Sequence, residues 1–198
     1  MPKRLLDLAI ALPALIALLP VLFALALAVR LNSRGPALFR QQRLGLHGQP
    51  FALFKFRSMA NGVPDLRNAD GSAFSSAADA RVTSIGRWLR ATSLDELPQL
   101  FNVVRGDMSL VGPRPDQVDQ LRFYLPAERR KLDVRPGLTG LAQISGRNSI
   151  SWTQRKALDL RYVETQSFAL DCRILYRTIP YVLFRRDIHT DARPSALG

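Results

Sequence analysis

Two adjacent carboxylates, Asp95 and Glu96, lie in the stretch TSLDELPQL at residues 92–100, in a chain where Lys and Arg outnumber Asp and Glu by 28 to 16. Neighbouring carboxylates repel, and one pKa rises unless cations or a metal compensate. Arg81, Arg87 and Arg90 lie just upstream, and a hard cation such as Mg²⁺ favours carboxylate and phosphate oxygens. The pair is therefore suited to handling a phosphoryl group. A plainer role is helix capping, because Ser93 and Glu96 fit the S-x-x-E capping box. Pro98 opposes that register: with Ser93 as N-cap it would be the fifth helical residue, where a backbone N–H is needed. A start at Leu94 or Asp95 removes the conflict. It also puts Asp95 at the positive end of the helix, which stabilises a carboxylate and attracts phosphate.

The run GDMSLVGPRP downstream supplies a complement. A helix from about 95 to 105 spans about 15 Å, and an extended return through 107–113 covers about 20 Å. The chain can thus fold back beside its start and bring Arg114 towards Asp95. Pro113 and Pro115 flank Arg114 and bias it towards an extended backbone. A guanidinium held in this way can grip phosphate oxygens with two bonds. The alternative is an arginine that pairs with Asp107 or Asp116, and the residues alone leave both open. Further on, RPGLTGLAQISGRN at 135–148 has neither the P-loop order nor G-x-G-x-x-G, and reads only as a turn-rich segment.

Several elements must position these groups. ALFRQQRLGLHGQPFALFKFRSM at 37–59 predicts two short strands joined by a turn containing Gly45, Gly48 and Pro50. In the second strand Phe51, Leu53, Lys55 and Arg57 share one face and Ala52, Phe54 and Phe56 the other, so one face is expected to be core and the other to deliver two cations. Residues 60–80 are rich in turn formers and read as a surface loop. Leu97, Leu100, Phe101 and Val104 fall on one helical face, with Gly106 suited to the stop. From Trp152 to Phe184 the pattern predicts helices bearing Arg155, Lys156, Arg161, Arg173 and Arg177 beside large apolar residues. These are either core helices or helices lying flat on a membrane surface.

From Leu5 to Val29 the chain is apolar except for Asp7. As a helix this stretch would be about 37 Å long, enough to cross a hydrocarbon core of about 30 Å. Its length, Asp7 and two prolines argue against a cleaved signal peptide. A straight spanning helix should be basic mainly on its cytoplasmic side. Here Lys3 and Arg4 precede the stretch, and Arg30, Arg34, Arg40 and Arg43 follow it. If both flanks prefer the cytoplasmic face the segment must enter and return, with Pro20 as the breaking point and Pro13 as a second bend. A kinked spanning helix remains the alternative, because membrane helices tolerate proline.

At 198 residues the chain suits one catalytic domain plus a membrane element. Residues 1–64 carry eight basic residues against the single acid Asp7, so this third seeks an anionic partner. Cys172 stands alone, and His47 and His189 are the only histidines, which argues against disulfides and against imidazole-rich metal sites. A nucleic-acid module is disfavoured by the modest aromatic content, the missing recognition motifs and the acids at 95–96. A glycoside hydrolase needs carboxyls facing across a bond, whereas neighbours on a helix splay apart.

Taken together, SLDELPQLFNVVRGDMSLVGPRP, the initial KRLLD, LFKFRSM in the hairpin, and VRPGLTGLAQISGRN followed by SW closely resemble the bacterial sugar transferase family, the monotopic polyprenyl-phosphate phosphoglycosyl transferases, in a minimal form. The resemblance runs from Lys3 to about Phe184. It implies an α-rich α/β fold: a re-entrant membrane helix-break-helix over 1–34, then one cytosolic-face catalytic domain over 35–186 with a small β-hairpin and amphipathic interfacial helices, and a flexible tail over 187–198. The implied reaction moves sugar-1-phosphate from a UDP-sugar to undecaprenyl phosphate at the cytoplasmic face of the bacterial inner membrane. Asp95 is then the nucleophile, Glu96 its catalytic partner, and Mg²⁺ binds at both. Arg114 matches the family's proline-flanked phosphate-binding arginine. Lys55, Arg81, Arg90, Arg147 and Asn148 fall in other matching motifs as site or supporting residues. Pro20 matches the break of the re-entrant helix, with Leu19 where the family has serine, and Lys3 and Arg4 are its basic anchor. The implied partners are the two substrates, anionic lipid of the inner leaflet, and a second copy or glycosyltransferases of the same assembly line. No nucleic acid is implied.

Overall fold

A computed structural model describes residues 2–66, 74, 76, 79–146 and 150–183. The first element, α1 (Pro2–Asn32), is helical throughout, and Pro13 and Pro20 lie inside it rather than between two helices. The expected helix-break-helix is thus drawn as one run. A proline removes one ladder bond and crowds the preceding turn, which a helix can absorb by bending without losing its helical assignment. Among the described residues it is the one helix long and apolar enough to cross a membrane.

One stripe of α1, comprising Ala11, Leu15, Leu22, Leu25 and Val29, is buried against the rest of the molecule. The opposite side exposes Leu5, Ile16, Leu19, Phe23, Leu27 and Leu31. Both ends are tied to the same folded body. At the start, Lys3 Nζ donates to Asp171 Oδ2 (2.6 Å) and Tyr162 Oη (3.1 Å). Arg4 donates to the carbonyls of Val103 and Val104 at 2.6 and 2.8 Å. Buried Asp7 accepts from Ser109 Oγ and the Leu110 N–H at 3.0 and 2.9 Å. At the far end Asn32 Nδ2 donates to Ser84 Oγ (2.8 Å), and the buried Arg57 guanidinium binds Ser33 Oγ, Ser33 O and Pro36 O.

The hairpin is present as β1 (Leu38–Leu44) and β2 (Pro50–Phe56), antiparallel from Leu38 opposite Phe56 to Leu44 opposite Pro50. His47 and Gly48 take positive φ to close the turn. Phe51 and Leu53 are buried, so Lys55 leaves from the core face itself, not from the opposite side as the alternation suggested. Phe56 is buried as well, because the end of β2 is covered on both sides.

Next come α2 (Ser84–Thr92), capped by the Thr83 side chain, a 3-10 turn at Leu94–Glu96, and α3 (Gln99–Arg105), stopped by Gly106 at φ 96°. In α3 Leu100 and Val103 are buried, while Phe101 faces outward instead of joining the core. Then β3 (Ser109–Val111) pairs in parallel with β4 (Gly137–Thr139). Two 3-10 segments, Val118–Phe123 and Pro126–Asp133, lie between these strands in sequence. The predicted terminal helices are α4 (Trp152–Thr165) and α5 (Phe168–Leu183). The flexible tail expected at 187–198 lies outside the described residues.

Candidate active site

The acid pair sits on the tight connection between α2 and α3. Ser93 ends α2 in the left-handed conformation (φ 58°) and makes no side-chain cap bond to the turn that follows, so the capping-box role is not taken up. The chain turns through Leu94–Glu96 and restarts at Gln99 with Pro98 in the N-cap position, where its missing N–H costs nothing. The helix expected to start at Leu94 or Asp95 therefore starts at Gln99, and both carboxylates lie at the corner before it rather than at its positive end.

Three cations come to that corner from different elements. Arg114 Nη2 meets Glu96 Oε1 at 2.6 Å. The expected approach to Asp95 is therefore a direct bond to its neighbour, and Asp95 feels the guanidinium only through its charge. The Arg114 side chain is 43% exposed and that of Glu96 18%, so the pair stays open to a ligand. Lys55 arrives from β2, and its charge interacts with both Asp95 and Glu96. Arg90 arrives from α2 and donates Nε to Ser58 Oγ at 2.8 Å. Gly86 makes that approach feasible: a Cβ there would stand 1.9 Å from the Ser58 carbonyl oxygen.

Burial and the adjacent Glu96 push the Asp95 carboxyl up to about 6, against the pull of Lys55, Arg90 and Arg114. Asp95 is thus ionised at neutral pH yet sits in a place that disfavours its charge, as an activated group does. Burial, with the charges of Arg43 and Arg90, pulls the Lys55 ammonium down to about 8 despite the two acids. Burial likewise lowers the Arg90 guanidinium, and Glu96 raises that of Arg114. Cations crowded around two acids leave room for the negative charge of a phosphorylated ligand.

Other expected residues fall elsewhere. Arg81 binds Asp79 through Nε and Nη2 and donates to the Pro64 carbonyl, so its guanidinium bonds are made to these groups rather than to the acid pair. Lys3 and Arg4 are bonded to protein groups, and Pro20 lies midway along α1. Arg147 and Asn148 lie outside the described residues. Sequence reasoning missed Arg43, which donates to the Pro115 carbonyl beside Arg114 at 3.1 Å. It also missed buried Asn102, whose amide accepts from the Phe54 N–H (3.0 Å) and donates to the Ala52 carbonyl (2.8 Å). Asn102 thereby fixes β2 against α3, and with it Lys55 against the acids. Its type offered a hint, since a polar residue between apolar neighbours in a short helix needs buried partners.

The sequence that builds this site is similar to those of known proteins. The family described as bacterial sugar transferase matches residues 1–185. An uncharacterized sugar transferase, EpsL, of Bacillus subtilis is 45% identical, covering 94% of this chain and 89% of its own. A UDP-glucose:undecaprenyl-phosphate glucose-1-phosphate transferase of Caulobacter vibrioides is 47% identical over 91% of this chain and 69% of its own. An undecaprenyl-phosphate glucose phosphotransferase of Komagataeibacter xylinus is 44% identical over 93% of this chain, which spans about a third of that longer relative (36%). With the acid pair, its cations and nearly the whole length of the chain inside this match, the protein belongs to the bacterial sugar transferase family and is a transferase.

Proposed function

We propose that the protein transfers sugar-1-phosphate from a UDP-sugar to undecaprenyl phosphate at the cytoplasmic face of the inner membrane, as the first membrane step of glycoconjugate assembly. An Asp95 carboxylate oxygen attacks the β-phosphorus of the donor, the bond from that phosphorus to the bridging oxygen breaks, and UMP leaves. A phosphate oxygen of undecaprenyl phosphate then attacks the same phosphorus, Asp95 leaves, and a sugar-diphospho-undecaprenol remains. Dividing one displacement into two is the advantage of a carboxylate nucleophile. The observation that carries this reading is the acid pair on one tight turn with Arg114 bonded to Glu96 at 2.6 Å, where the charges of Lys55, Arg90 and Arg114 act on Asp95. The names of the Caulobacter and Komagataeibacter relatives support the polyprenyl-phosphate acceptor, and the former supports UDP-glucose as the first donor to test.

Among the described residues no three His, Cys, Asp or Glu side chains gather to hold a metal. Mg²⁺ suits the acid pair nonetheless, because it is commonly held by one or two carboxylates while substrate phosphates supply other oxygens. Asp95 and Glu96 would hold it, and it would offset charge on the diphosphate. The test is UMP release from a UDP-sugar panel, with and without undecaprenyl phosphate, in nanodiscs containing Mg²⁺. UMP formed with any donor supports the reading, and silence across the panel removes it.

Two predictions follow from the geometry. Activity as kcat/KM should rise as Asp95 ionises near pH 6 and fall as Lys55 loses its proton near pH 8. In Lys55→Arg the alkaline limb should move well above pH 8, because a guanidinium stays charged; an unmoved limb assigns it to another group. For the membrane segment, the reading is that α1 dips into one leaflet and returns, supported by bonds from both its ends to one folded body. Cysteines placed at positions 2 and 35 should both react from the cytoplasmic side. Pro20→Ala should send part of the population to a spanning state. If both ends of that variant remain cytoplasmic, the return depends on the Lys3 and Arg4 bonds and not on the proline.

A further inference from the structure

Behind Arg114 lies a buried charged cluster that the reaction does not use. Lys131, on the Pro126–Asp133 segment, is 5% exposed and donates Nζ to Asp116 Oδ2 at 2.6 Å and to Asp159 Oδ2 at 2.8 Å. The Tyr124 hydroxyl also donates to Asp116. Asp159 comes from α4 and is 1% exposed. Its other oxygen, Oδ1, is buried and makes no hydrogen bond of good geometry, while the Arg114 backbone N–H lies near enough to stabilise the carboxylate.

The cluster borders Pro113, Arg114 and Pro115 through Asp116 and through Asp159, which lies near the Arg114 N–H. Asp116 follows them directly, and its carbonyl accepts the Leu44 N–H at 2.9 Å. Arg43 holds the Pro115 carbonyl. Gly112 precedes them, and a Cβ there would stand 2.5 Å from the Arg135 carbonyl oxygen, so the backbones leaving β3 and entering β4 are packed closely there. Removing one partner of a buried ion cluster leaves an uncompensated charge, whereas burying the cluster in the first place contributes little net stability. Such a cluster is better explained by what it holds in place.

We propose that Lys131 and Asp159 are positioning residues for Arg114: the ammonium, shared by Asp116 and Asp159, locks the Pro113–Arg114–Pro115 segment so that the guanidinium meets Glu96 and the donor diphosphate. This rests on the reaction proposed above. A neighbouring buried pair supplies the control. Lys156 on α4 binds Glu128 at 2.7 Å, joining the same two elements without touching the Arg114 segment.

The experiment uses the full chain in nanodiscs, with Asp159→Asn as the near-isosteric variant, Lys131→Met as the stronger one and Lys156→Met as the control. Amide hydrogen exchange at Gly112, Arg114 and residues 116–120 reads the segment around the two prolines, and UMP release reads the chemistry. Asp159→Asn should speed exchange there and lower kcat/KM about 100-fold, the scale of a misplacement of about 1 Å. On an Arg114→Ala background the same substitution should cost less than about twofold more, since residues acting as one unit are non-additive. Lys156→Met should lower the melting temperature while leaving kcat/KM within about threefold of wild type. The proposal is overturned if Asp159→Asn leaves exchange at those amides unchanged, or if its loss multiplies in full with that of Arg114→Ala. Wild-type protein silent towards every UDP-sugar would remove the proposed reaction instead, and the exchange contrast would still decide whether the cluster holds the segment.

Discussion

Asp95→Asn should abolish turnover, with UMP release falling about 10⁴-fold or more, the scale seen when a member of a nucleophilic unit is removed. The argument has two parts. An amide cannot attack phosphorus as a carboxylate does, and the second displacement loses its leaving group as well. Incubated with a UDP-sugar, Mg²⁺ and no lipid acceptor, the wild-type protein should gain the mass of one sugar-phosphate, and Asp95→Asn should gain none. The fold should not suffer. Burial and Glu96 raise the Asp95 carboxyl from its ordinary value to about 6. A carboxylate raised in the folded state costs stability that is fully present above pH 6 and disappears as pH falls below the ordinary carboxylate range. At neutral pH the asparagine therefore removes a penalty, and the melting temperature should hold or rise. A variant that is inactive because it unfolds would contradict this account. UMP released at an undiminished rate by Asp95→Asn would make direct transfer between the substrates the better mechanism.

What was legible in the sequence was local. The hairpin was readable because alternation and a glycine-rich turn lie within a few residues of each other, and Pro98 ruled out Ser93 as N-cap, although the helix expected from Leu94 or Asp95 begins only at Gln99. The return of Arg114 followed from chain reach alone, although reach could not tell Asp95 from Glu96. The rest depends on partners far apart in sequence. Three-residue strands such as β3 and β4 show no periodicity, and their parallel pairing joins Ser109 to Gly137 across both 3-10 segments. Lys131 lies in AERRKLD, where nothing local announces that Asp116 and Asp159 will enclose it. The outward turn of Phe101 and the delivery of Lys55 from the core face were each misread for one reason. Periodicity says which residues share a face, but only tertiary packing says which face is covered.

The membrane segment joins the two scales. Asp7 is costly in an apolar helix unless it is satisfied, and it is satisfied by β3, the strand that runs directly into Gly112 and the Arg114 segment. Arg4 closes the carbonyl end of α3, whose other end begins just past the acid pair. The first turns of α1 therefore brace the two segments that carry Glu96 and Arg114. On the function proposed above, this would put the chemistry beside the bilayer, within reach of a lipid-borne acceptor.

The second large effect is expected at Arg114. Arg114→Lys keeps the positive charge, so if Arg114 served only as a charge, kcat/KM would fall little. The geometry argues for more. The guanidinium already spends Nη2 on Glu96 at 2.6 Å, and its planar fork has further N–H groups to offer phosphate oxygens at the same moment. An ammonium on a shorter reach cannot keep both in fixed directions. Arg114→Lys should therefore lower kcat/KM by about 100-fold, equivalent to about 2.7 kcal/mol of transition-state stabilisation, and Arg114→Ala by about 1000-fold. The loss should fall mainly on kcat if the second grip tightens as charge builds during transfer. Glu96→Gln, which weakens the partner of the same bond, should be sub-additive with Arg114→Lys. If Arg114→Lys retains activity within about threefold of wild type, the guanidinium fork plays no part, and the segment that holds it serves the fold alone.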